Sequence, residues 1–335
     1  MKCSLYLYFG KIKIYGLEHV PLDKPVLFLP NHQSALMDVL LLAVDCNRKP
    51  FFLTRSDVFG NPMLKRLFTY LRMLPVYRIR DGRQSLKYND EIFELCAELL
   101  GKGEAIMIFP EANHSLKRKV RPLSKGFTRI LFRAIDQSPE LDIRMVPIGI
   151  NYRSAEAFPD RVAIYVGENI PLRNLYDIEN VMASTTRVKE AVSEKLKLLT
   201  THIEDDLDHD RIIGQLDALG ADYLKPSAVN TTIDQLGHPK VKTSFRKVEG
   251  PIKTGFRFLF TILNLPLVLS WRALLKPKVW EPEFMATMRF AYALMVTPLY
   301  FLILFLTLGN VFNPLIALAT VGILFVFNLL YVKLG

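Results

Sequence analysis

Cysteine is scarce in this chain of 335 residues. Cys3, Cys46 and Cys96 stand at spacings that match neither a disulfide framework nor a thiolate metal site. A small secreted scaffold stapled by disulfides is thereby excluded, and three reduced thiols suit a cytoplasmic domain. A signal peptide is not expected either. The apolar stretch from Leu5 to Phe9 behind Lys2 is too short and lacks a small-residue cleavage site. Internal repeats and low-complexity tracts are missing. The net charge of +10 calls for an anionic partner, nucleic acid or a membrane surface. No aromatic-interleaved basic strand or recognition helix is present, so nucleic acid is not expected. Charge itself is missing from one region: between Phe290 and Val332 there is no Asp, Glu, Lys or Arg.

That run exceeds one bilayer crossing, which takes about 20 residues. Gly309-Asn310 and Asn313-Pro314 interrupt it near the middle. The pattern predicts two transmembrane helices, 290–308 and 314–332, because a soluble hairpin of that length would keep a polar face. An earlier apolar stretch, Phe258 to Trp271, is bounded by Arg257 and Arg272 and contains Pro266. It is too short to cross comfortably and is expected to be interfacial or re-entrant. Lysines and arginines cluster around it from Lys240 to Lys278. Such charges mark the cytoplasmic side and attract anionic headgroups. The expected location is the cell membrane, with the N-terminal domain on the cytoplasmic side and the lipid bilayer as a partner.

The first 170 residues alternate two kinds of run. Lys11–Tyr15, Val26–Leu29, Phe51–Leu53, Leu74–Tyr77, Ala105–Phe109, Met145–Ile150 and Val162–Val166 read as short strands. Ala35–Asp45, Asn61–Leu71, Ser85–Leu100 and Gly126–Asp136 show helical spacing of apolar residues. The predicted class is α/β, with a central mostly parallel or mixed sheet flanked by helices. A helical region and a C-terminal transmembrane hairpin follow. The expected division is a catalytic α/β domain over 1–172, a helical extension over 173–224 and a basic linker over 225–256. An interfacial or re-entrant segment over 257–289 and the hairpin over 290–335 complete it. The acidic stretch Glu204 to Asp210 reads as a solvated face or loop.

The segment Asn31-His32-Gln33-Ser34-Ala35-Leu36-Met37-Asp38 lies between an apolar strand and an apolar helix. Imidazole titrates near neutrality and can take a proton from an alcohol. A carboxylate beside it fixes the tautomer and stabilises the imidazolium. Six positions apart, the two side chains would point about 120° away from each other on one ideal helix. They meet only if His32 sits on the turn ahead of the helix, with Asn31 or Ser34 as cap. The ordinary alternative is a capping histidine and a surface aspartate.

A second block, Phe109-Pro110-Glu111-Ala112-Asn113-His114-Ser115, leads into the basic run Lys117-Arg118-Lys119-Val120-Arg121. One carboxylate among several cations suits an anionic, hydroxyl-bearing substrate, although such runs are ordinarily solvated loops. Lys125-Gly126 adds a cation and a residue that permits close backbone approach at a helix N-terminus. In Tyr77-Arg78-Ile79-Arg80-Asp81-Gly82, Arg78 follows the strand end Leu74-Pro75-Val76 and could bind phosphate in bidentate fashion.

Together these residues resemble the glycerolipid acyltransferase family, the lysophosphatidic acid and glycerol-3-phosphate acyltransferases. That family carries an Asn-His…Asp block, an Arg after a Pro-containing strand, a Phe-Pro-Glu-Gly-x-x-Ser block and a later Val-Pro-Ile strand. Asn31-His32…Asp38, Arg78, Phe109 to Ser115 and Val146-Pro147-Ile148 stand in the same order over about residues 10–170. Five residues separate His32 from Asp38 where the commonest pattern has four, as in a subset resembling the fungal-type glycerol-3-phosphate acyltransferases. Ala112 and His114 stand where the third block usually has glycine and arginine.

The resemblance implies acyl transfer from a thioester, acyl-CoA or acyl carrier protein, to a phosphorylated glycerol or lysophospholipid acceptor. It makes His32 the general base and Asp38 its partner. Arg78 with the basic residues after Ser115, Lys117 and Arg118 among them, would bind the phosphate, and Glu111 would position the glycerol hydroxyls; Ser115, Lys125 and Gly126 are the remaining candidate substrate-binding residues. It implies no metal and no organic cofactor. Two other readings stay open: another lysolipid acceptor such as an amino-acid lipid, or a membrane-tethered lipid-binding protein without catalysis.

Overall fold

The computed structural model describes residues 1–59, 66, 68–77, 87–236 and 251–334. Arg78, most of the helix expected over Asn61–Leu71, and residues 237–250 lie outside the described residues. Eight strands form one sheet: β1 (Lys11–Tyr15), β2 (Val26–Pro30), β3 (Phe51–Arg55), β4 (Met73–Val76), β5 (Ala105–Met107), β6 (Arg144–Tyr152), β7 (Arg161–Val166) and β8 (Ile170–Pro171). Their order is β1-β7-β6-β2-β5-β3-β4, with β8 on β6. Pairing is parallel except where β6 meets β7 and β8. The sheet is thus mixed and mostly parallel, as the alternation of runs implied.

Both faces of the sheet are covered, so its central strands are apolar throughout. On β2, Leu27 and Leu29 enter one core with α3 (Tyr88–Gly101), α4 (Gly126–Gln137) and α5 (Val181–Leu199). Val26 and Phe28 enter the opposite core with α1 (Lys2–Tyr8) and α2 (Ala35–Asp45). Helix α5 opens on an Asn180 cap, whose side chain accepts from the Ala183 amide at 3.0 Å. It buries Val188, Val192 and Leu196 at four-residue spacing, which aligns them on one face. Its C-terminus lies so close to β6 that a Cβ at Gly149 would collide with the Leu199 carbonyl oxygen. The Asn151 amide group donates to that same oxygen at 2.9 Å.

One expectation changes beyond α5. Residues 226–236, expected within a linker, form helix α7 (Pro226–Leu236), packed with α6 (His209–Leu219) around Leu216, Tyr223 and Val229. Asn230 ties α7 to the end of α5 through the carbonyls of Lys197 and Thr200 at 3.0 Å. The acidic stretch Glu204–Asp210 is a largely exposed loop leading into α6, as expected, and it runs along the basic run 117–121. Opposite charge holds it there: Asp206 reaches Lys117 at 3.5 Å and Lys119 at 3.2 Å.

The C-terminal part begins with α8 (Pro251–Leu263) and α9 (Leu265–Ser270), and the stretches 253–263 and 265–278 meet at 88°. At the bend, buried Asn264 exchanges two hydrogen bonds, 2.7 and 2.9 Å, with Asn328. Helices α10 (Met285–Val311) and α11 (Pro314–Leu334) are each long and apolar enough to cross a membrane. Helix α10 starts ahead of the expected residue 290 because its first turn is part of the α/β core. Ala286 and Phe290 are buried there against α1 and α2.

Candidate active site

Strand β2 delivers Asn31 and His32 to the top of the sheet. The Asn31 carboxamide, rather than capping α2, clamps β6 by accepting from the Ile150 amide at 2.6 Å and donating to its carbonyl at 3.2 Å. His32 therefore lies on the turn ahead of α2, which allows it to meet Asp38. Its Nδ1 stands 2.8 Å from Asp38 Oδ2. The same oxygen accepts the backbone N–H groups of Gln33 and Ser34, each at 2.9 Å. The other carboxylate oxygen accepts from the Tyr152 hydroxyl at 2.6 Å. Asp38 is fully buried, and four donors offset the cost of removing a carboxylate from water. Burial and the neighbouring Asp38 push the Tyr152 phenol well above its ordinary range, so it acts as a neutral donor.

The His32 ring stacks on Phe109 at 3.9 Å between centroids. His114 stands perpendicular to it at 5.5 Å. Among the described residues, no group bonds the Nε2 of His32. A ring nitrogen left unbonded opposite a buried carboxylate can take a proton from a hydroxyl.

The second block forms a turn beside the dyad, with the Ser115 amide donating to the His32 carbonyl at 3.0 Å. Ala112 takes φ of +63°, in the left-handed region that glycine enters freely and alanine enters at a cost of about 1 kcal/mol. Glu111 is buried with its carboxylate engaged by Arg121, through Nη2 at 2.5 Å and the backbone N–H at 3.2 Å. Asn31, His32, Glu111, Ser115 and Lys117 line one small cleft together with Asn151, Thr200 and Thr201.

The other expected site residues divide. Lys117 is exposed at the cleft. Arg118 also borders it, but its guanidinium donates to the carbonyls of Tyr152 at 3.1 Å and Arg153 at 3.0 Å and stacks 3.6 Å over Tyr223. That side chain clasps β6 to the α6–α7 unit instead of facing a ligand. Lys125 and Gly126 are absent from the cleft lining, because the chain turns away before α4 begins. A Cβ at Gly126 would meet nothing nearer than 3.8 Å, so no close backbone approach occurs there. Arg78 lies outside the described residues.

Several neighbours of the site escape a reading of the sequence. Tyr152 is one, and the Thr200-Thr201 wall is another. His202 Nδ1 accepts the Val120 N–H at 3.0 Å and His209 Nε2 accepts the Arg118 N–H at 3.1 Å, pinning the basic run from the far side. Only the inward alternation of Ile148, Ile150 and Tyr152 offered a signal, and it marks burial without marking the hydroxyl's partner. Among the described residues, no group of three His, Cys, Asp or Glu side chains could hold a metal ion.

A mixed sheet between helical layers carries an imidazole–carboxylate pair beside a cleft lined by basic residues, an arrangement that can activate a hydroxyl next to an anion. Comparison with known proteins narrows that chemistry. Residues 11–151 match the family model described as Acyltransferase. The chain is 30% identical over 125 residues to the chloroplastic 1-acyl-sn-glycerol-3-phosphate acyltransferase BAT2 of Brassica napus, covering 37% of this chain and 34% of that protein. It is 31% identical over 125 residues to the chloroplastic LPAT1 of Arabidopsis thaliana, also a 1-acyl-sn-glycerol-3-phosphate acyltransferase, covering 37% and 33%. With glycerol-3-phosphate O-acyltransferase 1 of Saccharomyces cerevisiae it shares 26% identity over 129 residues, covering 36% and 17%. The chain thus spans about a third or less of the length of these relatives. The crystal structure of PlsC, the 1-acyl-sn-glycerophosphate acyltransferase of Thermotoga maritima, is similar with a TM-score of 0.41 and 20% identity, covering 58% of this chain and 76% of that one. Over residues 11–151 the α/β domain is thus similar to acyltransferases, glycerolipid acyltransferases among them.

Proposed function

We propose that this protein is a membrane-bound O-acyltransferase of phospholipid biosynthesis. It moves a fatty acyl group from a thioester, acyl-CoA or acyl carrier protein, to a hydroxyl of 1-acylglycerol 3-phosphate or glycerol 3-phosphate. The observation that carries this reading is the His32–Asp38 pair at 2.8 Å, facing a basic cleft in a domain similar to acyltransferases. His32 Nε2 takes the hydroxyl proton as the oxygen attacks the thioester carbonyl carbon. Asp38 stabilises the imidazolium, and backbone N–H groups at the turn stabilise the oxyanion. Collapse of the tetrahedral intermediate breaks the C–S bond, and His32 returns the proton to the leaving sulfur. Lys117 and Arg78 would hold the phosphate, and Glu111, oriented by Arg121, the glycerol hydroxyls.

The site would face the cytoplasmic leaflet. Helices α10 and α11 form the transmembrane hairpin, and the bent α8–α9 segment lies along or re-enters that leaflet. Its exposed Phe258, Ile262, Leu265 and Leu269 supply the apolar surface for this placement. A lysolipid acceptor and its diacyl product both reside at the bilayer surface, where the cleft would then sit.

The test is to give the purified full chain, in bilayer nanodiscs, each labelled acceptor with each thioester and to identify the product. A diacyl or monoacyl glycerol phosphate is the expected outcome. Acylation of an amino-acid lysolipid in its place would move the enzyme to another acceptor class. Absence of any acylated product would leave a lipid-binding role.

A further inference from the structure

The membrane helix reaches the dyad through a second histidine. His114 stands perpendicular to His32, and its Nε2 lies 2.9 Å from Glu281 Oε2. Its ring also meets Phe284, again perpendicular, at 5.2 Å. Glu281 and Phe284 share one turn, closed by the Phe284 amide on the Glu281 carbonyl at 3.0 Å, immediately ahead of α10. The first turn of α10 is then fastened to the catalytic domain. Thr287 Oγ1 accepts the Met37 N–H at 3.2 Å, and Met37 is the neighbour of Asp38 on α2. The Ala286 carbonyl accepts the Tyr8 hydroxyl at 3.4 Å, and Phe290 packs on the Tyr8 ring at 5.3 Å.

We infer that Glu281, acting through His114, positions His32, so that the seating of the membrane helix on α2 sets the geometry of the dyad. This role rests on the acyl-transfer reading above. The physical reason is the number of restraints on one ring. Asp38 holds Nδ1 of His32 and Phe109 covers one face, which leaves the ring free to tilt on the remaining side. His114 adds a perpendicular contact at 5.5 Å, and among the described residues its own further side-chain contacts are with Glu281 and Phe284. Burial holds the His114 imidazole below its ordinary range, with the Glu281 bond opposing. At neutral pH it is therefore uncharged and donates its Nε2–H to Glu281. An uncharged neighbour also spares His32 a like charge when it becomes an imidazolium. Trp280, fully exposed beside Glu281, is suited to the headgroup region and would transmit the position of the bilayer to this turn.

The test uses the full chain in nanodiscs. Glu281→Ala should lower kcat about tenfold with KM for both substrates within about twofold, since misorientation of a base affects the chemical step. Glu281→Gln should recover most of that loss, because the amide oxygen still accepts from His114. The double variant Glu281→Ala with His114→Ala should be no slower than His114→Ala alone, as expected of two residues in series. A second readout needs no turnover: the rate at which diethyl pyrocarbonate modifies His32, followed by peptide mass spectrometry. That rate should change several-fold in Glu281→Ala and match the parent in Glu281→Gln. Unchanged kcat and unchanged His32 reactivity in Glu281→Ala would overturn the inference, as would additive losses or a loss that Glu281→Gln does not relieve. If the parent protein acylates nothing, the functional reading fails while the His32 reactivity series still decides the coupling.

Discussion

Replacing Asp38 by Asn should slow acyl transfer by roughly 10³-fold and leave the fold in place. Three donors converge on Asp38 Oδ2: His32 Nδ1 at 2.8 Å and the amides of Gln33 and Ser34 at 2.9 Å each. Two backbone N–H groups cannot face an NH2 group, so the asparagine oxygen must take that position. Its NH2 then replaces Oδ1, 2.6 Å from Tyr152, whose hydroxyl can turn and accept. Every bond is kept, and His32 keeps its Nδ1–H tautomer. Only the charge is lost. An imidazolium about 4 Å from a carboxylate gains about 4 kcal/mol at an effective dielectric constant near 20. At about 1.4 kcal/mol per factor of ten, that is the predicted loss. Initial rates of thiol release at saturating acceptor measure it, with the thermal unfolding midpoint as the control for folding. A variant with an unchanged midpoint and a rate within about tenfold of the parent would show that no imidazolium is stabilised at His32.

Lys117→Ala should raise the KM for the phosphorylated acceptor about tenfold, the worth of one charge-assisted contact. Arg118→Lys should leave that KM alone and lower stability by about 2 kcal/mol, because a lysine cannot both stack on Tyr223 and bond two carbonyls; chemical unfolding and steady-state kinetics separate the two. Burial pushes Asp160 up to about 7, above its unfolded value. Its contribution to stability is therefore full below about pH 4 and falls by about 1.4 kcal/mol per pH unit until about pH 7. Asp160→Asn keeps the acceptor for the Ser154 amide at 3.0 Å and should flatten the unfolding midpoint across that window. An unchanged pH profile would show that Asp160 is not protonated in the fold. In a background lacking Cys3, Cys46 and Cys96, an impermeant thiol reagent on intact cells should label Asn310→Cys and not Lys276→Cys. Labelling of the second, or of neither while opened cells label normally, would overturn the hairpin topology.

Much of the sheet is legible from short apolar runs, because strands buried on both faces, such as Val26 to Pro30, need no polar alternation. The juxtaposition of His32 and Asp38 is legible too, since a strand end and the first turn of the next helix are joined by only a few residues. What stays hidden depends on distant sequence. Arg118 reads as one cation in a basic run, and nothing local announces Tyr223 or the two carbonyls of β6 that engage it. His202 and His209 reach the same run from more than 80 residues away. Helix α7 carries Val229, Ile233 and Leu236 at helical spacing, but its serine and threonine content disguises them as linker. The start of α10 is masked for another reason. Arg289 ends the charge-free run, yet the helix continues through it to Met285, its guanidinium donating to the Glu156 carbonyl at 3.0 Å.

The central claim is that His32 removes the acceptor's proton during acyl transfer, and the most direct measurement is product formation by the full chain and by His32→Ala. The account predicts that the parent protein converts a labelled phosphorylated acceptor and a thioester to the acylated glycerol phosphate. His32→Ala, equally folded and membrane-bound, should do so at least about 10²-fold more slowly. A His32→Ala variant with near-parental turnover would contradict it.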